Sequence, residues 1–156
     1  MKKIKLLLVD DEENFVKTLA ERLEIRGLKA EVVLSGEEAM AFMDKSVPDV
    51  IVLDLRMPGI DGMEVLRRVK KNKPDVQVII LTGHGTDKDQ AEATRIGAFE
   101  YLKKPVDIDA LIFSIKNAFQ KKVESLMVAA TFAQAGDFND AEQTMLDGGL
   151  ADKTGK

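Results

Sequence analysis

The residues that most constrain this chain are Val50-Ile51-Val52-Leu53, followed at once by Asp54 and then by the turn pair Pro58-Gly59. A continuous run of branched apolar residues offers water no polar face, so it reads as a strand buried on both sides. Parallel sheets covered by helices bury strands in that way, and they bind ligands beyond the carboxyl ends of their strands. The carboxylate of Asp54 is therefore expected at such an end.

The pattern recurs along the chain. Ile4 to Val9 is a second apolar run, and it too ends in acids, Asp10 and Asp11. Phe15, Val16, Leu19 and Leu23 have helical spacing, with Gly27 as a stop signal. Lys29 to Leu34 reads as a strand near an edge. Ser35 stands as an N-cap with Glu38 as its capping-box partner, opening a helix that carries Ala39, Met40, Phe42 and Met43. That helix ends before Pro48. After the central strand, Met63, Val65, Leu66 and Val69 mark a helix closed by Asn72 and Pro74. Val76 to Leu81 is another strand, running into Thr82-Gly83-His84-Gly85. A weakly apolar helix spans Asp87 to Ile96, and Gly97 ends it. Phe99 to Leu102 is a short last strand before Lys103-Lys104-Pro105.

Strands alternating with helices predict an α/β fold with helices on both faces of a parallel sheet and right-handed crossovers. The lengths predict the flavodoxin-like doubly wound order 2-1-3-4-5. In that order strands 1, 3, 4 and 5 are neighbours. Their rim then collects Asp10, Asp11, Asp54, Thr82 and Lys104.

Three carboxylates gathered there repel one another. At about 4 Å and an effective dielectric near 20, each like-charged pair costs on the order of 4 kcal/mol. A proton or a cation must relieve them. Oxygen ligands of this kind suit Mg²⁺, which is commonly held by one or two carboxylates plus a phosphate. The remaining groups suit a phosphate as well. Lys104 supplies a point charge, Thr82 a hydroxyl donor, and Gly83 a closely approaching backbone N–H. A carboxylate that attacks phosphorus forms an aspartyl-phosphate. Asp54, the single acid at the end of the most central strand, is the expected nucleophile. Acids after a strand are also common as helix N-terminal caps, which is the plainer reading of Asp10-Asp11.

These residues resemble the receiver domain of two-component response regulators. The resemblance rests on Asp10-Asp11, on Asp54 with Met57-Pro58-Gly59 and Asp61-Gly62, on Thr82-Gly83 and on Lys104-Pro105. It covers about residues 3 to 122. The runs Leu81 to Gly85 and Gly97 to Pro105 are similar to receivers of nitrogen-regulation-type activators. The resemblance implies that Asp54 accepts a phosphoryl group from a sensor histidine kinase. It also implies that Asp11, Asp54 and the backbone carbonyl of Arg56 hold Mg²⁺, with Asp10 acting mainly through water. Thr82 and Tyr101 would be switch residues, Lys104 would bind the phosphate, and Pro105 would carry a cis peptide. Self-dephosphorylation would be slow at most, and the chain would otherwise be no enzyme. The plain reading of Tyr101, the sole tyrosine, is a half-buried strand aromatic with its hydroxyl in water. His84 reads as a loop residue shaping access to the site.

Composition narrows the class. A net charge of −4 gives no general affinity for nucleic acid. The chain has no cysteine, so no disulfide or thiolate metal site is expected. The short apolar start is cut off by Asp10-Asp11-Glu12-Glu13, and no stretch approaches the roughly 20 apolar residues of a membrane span. A cytoplasmic protein is expected.

Residues 1–122 read as the phosphoacceptor domain, 123–150 as a helical extension and 151–156 as a frayed tail. The stripe Leu111, Ile115, Ala118 and Phe119 of the fifth helix continues through Val123, Leu126, Met127 and Ala130, with Phe132 and Ala133 before Gly136. Asn139 with Glu142 resembles the start of a second short helix, ending at Gly148-Gly149. The extension reads as a dimerisation or docking element, so a homodimer is expected, or as a hairpin folded onto its own domain. It holds no phosphate-binding Gly-Lys motif and no basic recognition helix. Either an output domain is missing or the signal passes to a downstream protein partner. Two other functions compete. One is a receiver-like binding module that is not phosphorylated. The other is an aspartyl-phosphate phosphohydrolase, which needs a general acid where Arg56 stands.

Overall fold

The computed structural model describes residues 3–135. Its elements alternate as β1 (Leu6–Val9), α1 (Glu13–Ile25), β2 (Ala30–Val33), α2 (Gly36–Lys45), β3 (Val50–Leu53), α3 (Gly62–Asn72), β4 (Gln77–Thr82), α4 (Asp87–Ile96), β5 (Glu100–Lys103) and α5 (Ile108–Ala135). All strand pairs are parallel, in the order β2-β1-β3-β4-β5. This is the flavodoxin-like doubly wound sheet, with a C-terminal helix.

Period-two alternation within each buried strand feeds two separate cores. Leu7, Val9, Ile51, Leu53, Val78 and Ile80 face one way, against Ala39, Met43, Val65, Leu66, Val69 and Ala93 of α2, α3 and α4. Leu6, Leu8, Val50, Val52, Ile79 and Leu81 face the other way, against Val16, Leu19 and Leu23 of α1 and Leu111, Ile115 and Ala118 of α5. Each fully buried side chain of this kind stabilises the fold by about 1.5–3 kcal/mol. The edge strands β2 and β5 are only partly buried, and they carry the charges Glu31, Glu100 and Lys103.

Local signals set the helix ends. Arg26 and Gly27 close α1, with Gly27 at φ +89° and Leu28 N–H reaching back to the Leu23 carbonyl at 2.9 Å. Ser35 caps α2 by accepting from Glu38 N–H at 3.0 Å. The expected reciprocal bond is displaced by one residue: the Glu38 carboxylate accepts from Leu34 N–H at 2.9 Å rather than from Ser35. A reciprocal capping box is instead found at Thr86 and Asp89, opening α4. β1 and β2 are shorter than the expected runs, β1 beginning at Leu6 rather than Ile4 and β2 spanning Ala30–Val33 rather than Lys29 to Leu34, while β4 and β5 each lie one residue further on than expected.

The chain divides after Lys122 into two units. In the first, α5 buries Ile108, Leu111, Ile115 and Ala118. In the second, α5 continues as helix to Ala135 with Leu126, Met127 and Val128 exposed. The helix expected to open at Asn139, its end at Gly148-Gly149 and the tail 151–156 lie outside the described residues. Among the described residues no helix is long and apolar enough to cross a membrane.

One glycine beside the central strand is sterically obligatory. A Cβ on Gly62 would stand 2.0 Å from the Asp54 carbonyl oxygen and 2.7 Å from Leu55 Cα, both fixed backbone. On Gly83 the nearest atom would be 3.7 Å away, an ordinary contact. Gly62→Ala is therefore expected to destabilise the protein by about 2 kcal/mol or more, and Gly83→Ala by less than about 1 kcal/mol. Urea denaturation of both variants checks this, and equal midpoints would refute it.

Candidate functional site

Backbone pairing places the functional groups. Val9↔Leu53 and Leu53↔Ile80 are in register, and Asp54 N–H donates to the Val9 carbonyl at 3.0 Å. Thr82 ends β4, and Lys104 N–H donates to the Thr82 carbonyl at 3.0 Å. Asp10, Asp54, Thr82 and Lys104 thus meet at one rim, as the strand order requires. Asp10, Asp54 and Thr82 are buried, whereas Asp11 is exposed.

Lys104 joins the acids. Its ammonium lies 2.7 Å from Asp10 Oδ2, 2.8 Å from Glu12 Oε1 and 3.8 Å from Asp54 Oδ2. It also sits 4.2 Å from the centre of the Phe15 ring, a cation–π contact that keeps the amine over an apolar floor. The Lys104–Pro105 peptide is cis. Burial pulls the Lys104 ammonium downward, but its hydrogen bonds to Asp10 and Glu12 outweigh that, and its pKa ends above the ordinary value. Burial pushes the Asp10 carboxyl up, and the charge of Asp54 adds to the rise. The bonds from Lys104 and from Glu12 N–H, the latter 2.9 Å long, offset only part of it.

Carboxylate oxygens of Asp10, Asp11 and Asp54 lie within 4.8 Å of one another. An all-oxygen donor set with one exposed member fits a hard divalent cation that keeps some of its waters. Arg56 donates its backbone N–H to Asp54 Oδ1 at 3.4 Å. The Thr82 hydroxyl accepts from His84 N–H at 3.3 Å. The backbone N–H of Gly83 lies on the same loop, but the space around its α-carbon admits a Cβ.

Tyr101 departs from its plain reading. Its ring packs against the α2–α3–α4 core, and its hydroxyl is buried with no hydrogen-bond partner rather than lying in water. A Cβ on Gly85 would stand 1.6 Å from that oxygen and 2.9 Å from Thr82 Cγ2, so the missing side chain of Gly85 makes the slot the ring occupies. Burial raises the pKa of the hydroxyl, with the Asp89 charge adding to the rise.

Sequence patterning passes over four participants: Glu12, Phe15, Gly85 and Asp89. Glu12 is the third acid of its run and Asp89 stands at capping-box distance from Thr86, so both carried a readable signal. Phe15 and Gly85 act only through three-dimensional contact.

A sheet of this order with acids, a hydroxyl and a lysine at one rim is the architecture of a phosphoacceptor signalling domain. Residues 6–116 match the response regulator receiver domain, and the chain belongs to that family. It is 40% identical over 116 residues to the transcriptional regulatory protein GlrR of Escherichia coli, covering 74% of this chain and 26% of that protein. It is 38% identical over 115 residues to the C4-dicarboxylate transport transcriptional regulatory protein DctD of Pseudomonas aeruginosa, covering 74% and 25%. The chain therefore spans about a quarter of the length of these curated relatives. The crystal structure of NtrX from Brucella abortus in complex with ADP superposes with a TM-score of 0.76 at 27% identity, covering 82% of this chain and 30% of that one. These relatives agree with a receiver of the nitrogen-regulation type.

The raised Asp10 carboxyl has a thermodynamic consequence. A group with a raised folded pKa contributes stability that is present below its unfolded value, about pH 4, and is lost as pH rises through the folded value. At neutral pH ionised Asp10 works against the fold, and the Asp54 charge is one cause. Asp54→Asn should therefore stabilise the metal-free protein by on the order of 1 kcal/mol at pH 7, with the gap closing as pH falls toward 4. Denaturant melts in EDTA at both pH values measure it; a variant less stable than wild type at pH 7 would contradict the electrostatic account.

Proposed function

We propose that Asp54 accepts a phosphoryl group from a phosphohistidine of a sensor kinase, and that the chain relays the signal by changing its protein-interaction surface. The observation that carries this reading is the meeting of Asp54 with Asp10, Asp11 and the Lys104 ammonium at one rim. An Asp54 oxygen forms the new bond to phosphorus while the phosphorus–nitrogen bond to the kinase imidazole breaks. The imidazole leaves and takes up a proton from water.

Asp11, Asp54 and the carbonyl of Arg56 would hold Mg²⁺, with Asp10 acting through water. The ion would neutralise charge developing on the phosphoryl oxygens. Lys104 would exchange an acidic partner for a phosphoryl oxygen, a charge-assisted bond of the same kind. Thr82 would donate its hydroxyl to another oxygen, and Tyr101, in its slot beneath Gly85, would register the movement. Pro105 shapes the chain next to Lys104. The face built by α4, β5 and α5 would then present itself differently to a partner.

On this reading residues 1–122 are the receiver and residues 123–150 a dimerisation or docking extension, with 151–156 a tail. The exposed Leu126, Met127 and Val128 support a homodimer. A downstream protein, or an output domain of the kind the longer relatives leave room for, receives the signal. The chain itself binds no nucleic acid, acts in the cytoplasm, and hydrolyses its own phosphoryl group slowly. A phosphohydrolase is disfavoured because Arg56 stands where a general acid is needed and its guanidinium is paired with Asp89.

Incubation with acetyl phosphate and Mg²⁺ should add one phosphoryl group to the wild type by intact mass. Asp54→Asn or excess EDTA should abolish it. Equal labelling of the wild type and the variant would refute the assignment.

A further inference from the structure

Helix α4 is weakly held by apolar burial, since Ala93 is its only fully buried residue. A helix this short is marginal by itself in water, so polar contacts decide where its first turn sits. Two ion pairs reach it from the β3–α3 side: Arg67 of α3 pairs with Glu92, and Arg56 pairs with Asp89. The second touches the site. Arg56 has its backbone N–H on Asp54 Oδ1 and its guanidinium on Asp89. Asp89 is also the acid of the α4 capping box. Its Oδ2 accepts from Thr86 N–H at 3.1 Å, and its own N–H donates to Thr86 Oγ1 at 3.1 Å. One residue therefore links the phosphoacceptor to the start of α4.

We propose that Asp89 is a positioning residue for the phosphoryl chemistry of Asp54: it holds the Arg56 guanidinium on α4 until a phosphoryl group on Asp54 takes the guanidinium over, which frees the first turn of α4. The proposal rests on Asp54 being the phosphoacceptor. Its physical ground is a competition between two anions. Asp89 offers one negative charge, half shared with Thr86. A phosphoryl group brings about −1.5 to −2 charges and oxygens that match the guanidinium fork. The pair between Arg56 and Asp89 is partly exposed, so it is weak enough to exchange. Asp89 keeps its Thr86 N–H after the exchange and is not left bare.

The consequence is kinetic. Hydrolysis adds a water oxygen to phosphorus, breaks the bond to Asp54, restores its carboxylate and releases inorganic phosphate. A guanidinium lying on the phosphoryl oxygens obstructs that water. The lifetime of the acyl phosphate then rises with the share of time Arg56 spends there, and Asp89 sets that share.

Asp89→Asn keeps an oxygen for the Thr86 N–H and removes the charge. Proteins are labelled with acetyl phosphate and Mg²⁺, the donor is removed, and decay is followed by intact mass. Asp89→Asn should retain its phosphoryl group roughly two- to fivefold longer than wild type, the range that the loss of one exposed ion pair allows. Arg56→Ala should lose it faster, and the double variant should decay like Arg56→Ala. Arg67→Ala loosens α4 without touching Arg56, so it should leave the lifetime unchanged. Independently of turnover, the Arg56 Nε–H resonance should move when beryllofluoride and Mg²⁺ are added to wild type. An unchanged lifetime in Asp89→Asn, a lengthening that persists without Arg56, an equal lengthening in Arg67→Ala or an unmoved resonance would each overturn the proposal. If wild type fails to label at all, the assignment of Asp54 falls with it, and the wild-type control separates that case from the others.

Discussion

The rim of this sheet depends on one ammonium group. Asp10 and Asp54 are both buried, and a buried carboxylate is tolerated only beside a counter-charge or after taking up a proton. Lys104 provides that charge from the end of the edge strand β5, 94 residues away from Asp10 in sequence. It can do so only because β1, β3, β4 and β5 lie side by side in register. Its position is itself held, by the bond from its N–H to the Thr82 carbonyl and by the Phe15 ring beneath the amine. Removing that ammonium would be far more damaging than never having built the cluster, because the carboxylates would stay buried without a counter-charge.

The same arrangement works against stability wherever it serves the site. The raised Asp10 carboxyl and the unpartnered Tyr101 hydroxyl are both unfavourable in the state described. An unsatisfied buried hydroxyl costs about 1–3 kcal/mol. The two cores on either face of the sheet supply the offset, with strands β1, β3 and β4 buried along their whole length. Polar strain is therefore confined to the carboxyl ends of the strands, while the strands beneath are almost wholly apolar. This division is what lets a small domain carry acids in its interior and remain folded.

Apolar runs and stop signals made the fold readable in advance. Each run that ends in an acid or a Thr-Gly pair is a buried strand reaching the rim, and parallel connectivity brings those three ends, with the end of β5, into one place. Asp10, Asp11, Asp54, Thr82 and Lys104 were legible for that reason: their positions follow from strand ends, and strand ends follow from local sequence. The partners of those residues were less legible. Glu12 reaches Lys104 by a side-chain rotamer, and the Ser35 cap shifted its reciprocal bond to Leu34 because a glutamate can choose between neighbouring N–H groups. The burial of the Tyr101 hydroxyl depends on a glycine in another loop, and no periodicity within β5 contains that information.

Two sets of contacts lead from the rim to the start of α4. One runs through the Thr82 hydroxyl, which accepts from His84 N–H, and past Gly85, whose missing side chain admits Tyr101. The other runs through Arg56 to Asp89, which caps Thr86. The residues Gly83 to Thr86 lie between the two sets of contacts. The loop leads into α4, which has a single buried residue, fewer than any other helix among the described residues. A rigid rim joined to a loosely held helix is the condition under which a local change of charge becomes a movement elsewhere, because the deformation goes where packing resists it least. The apolar strands keep the acids in place, and the thinness of apolar burial under α4 leaves that helix as the part that can respond.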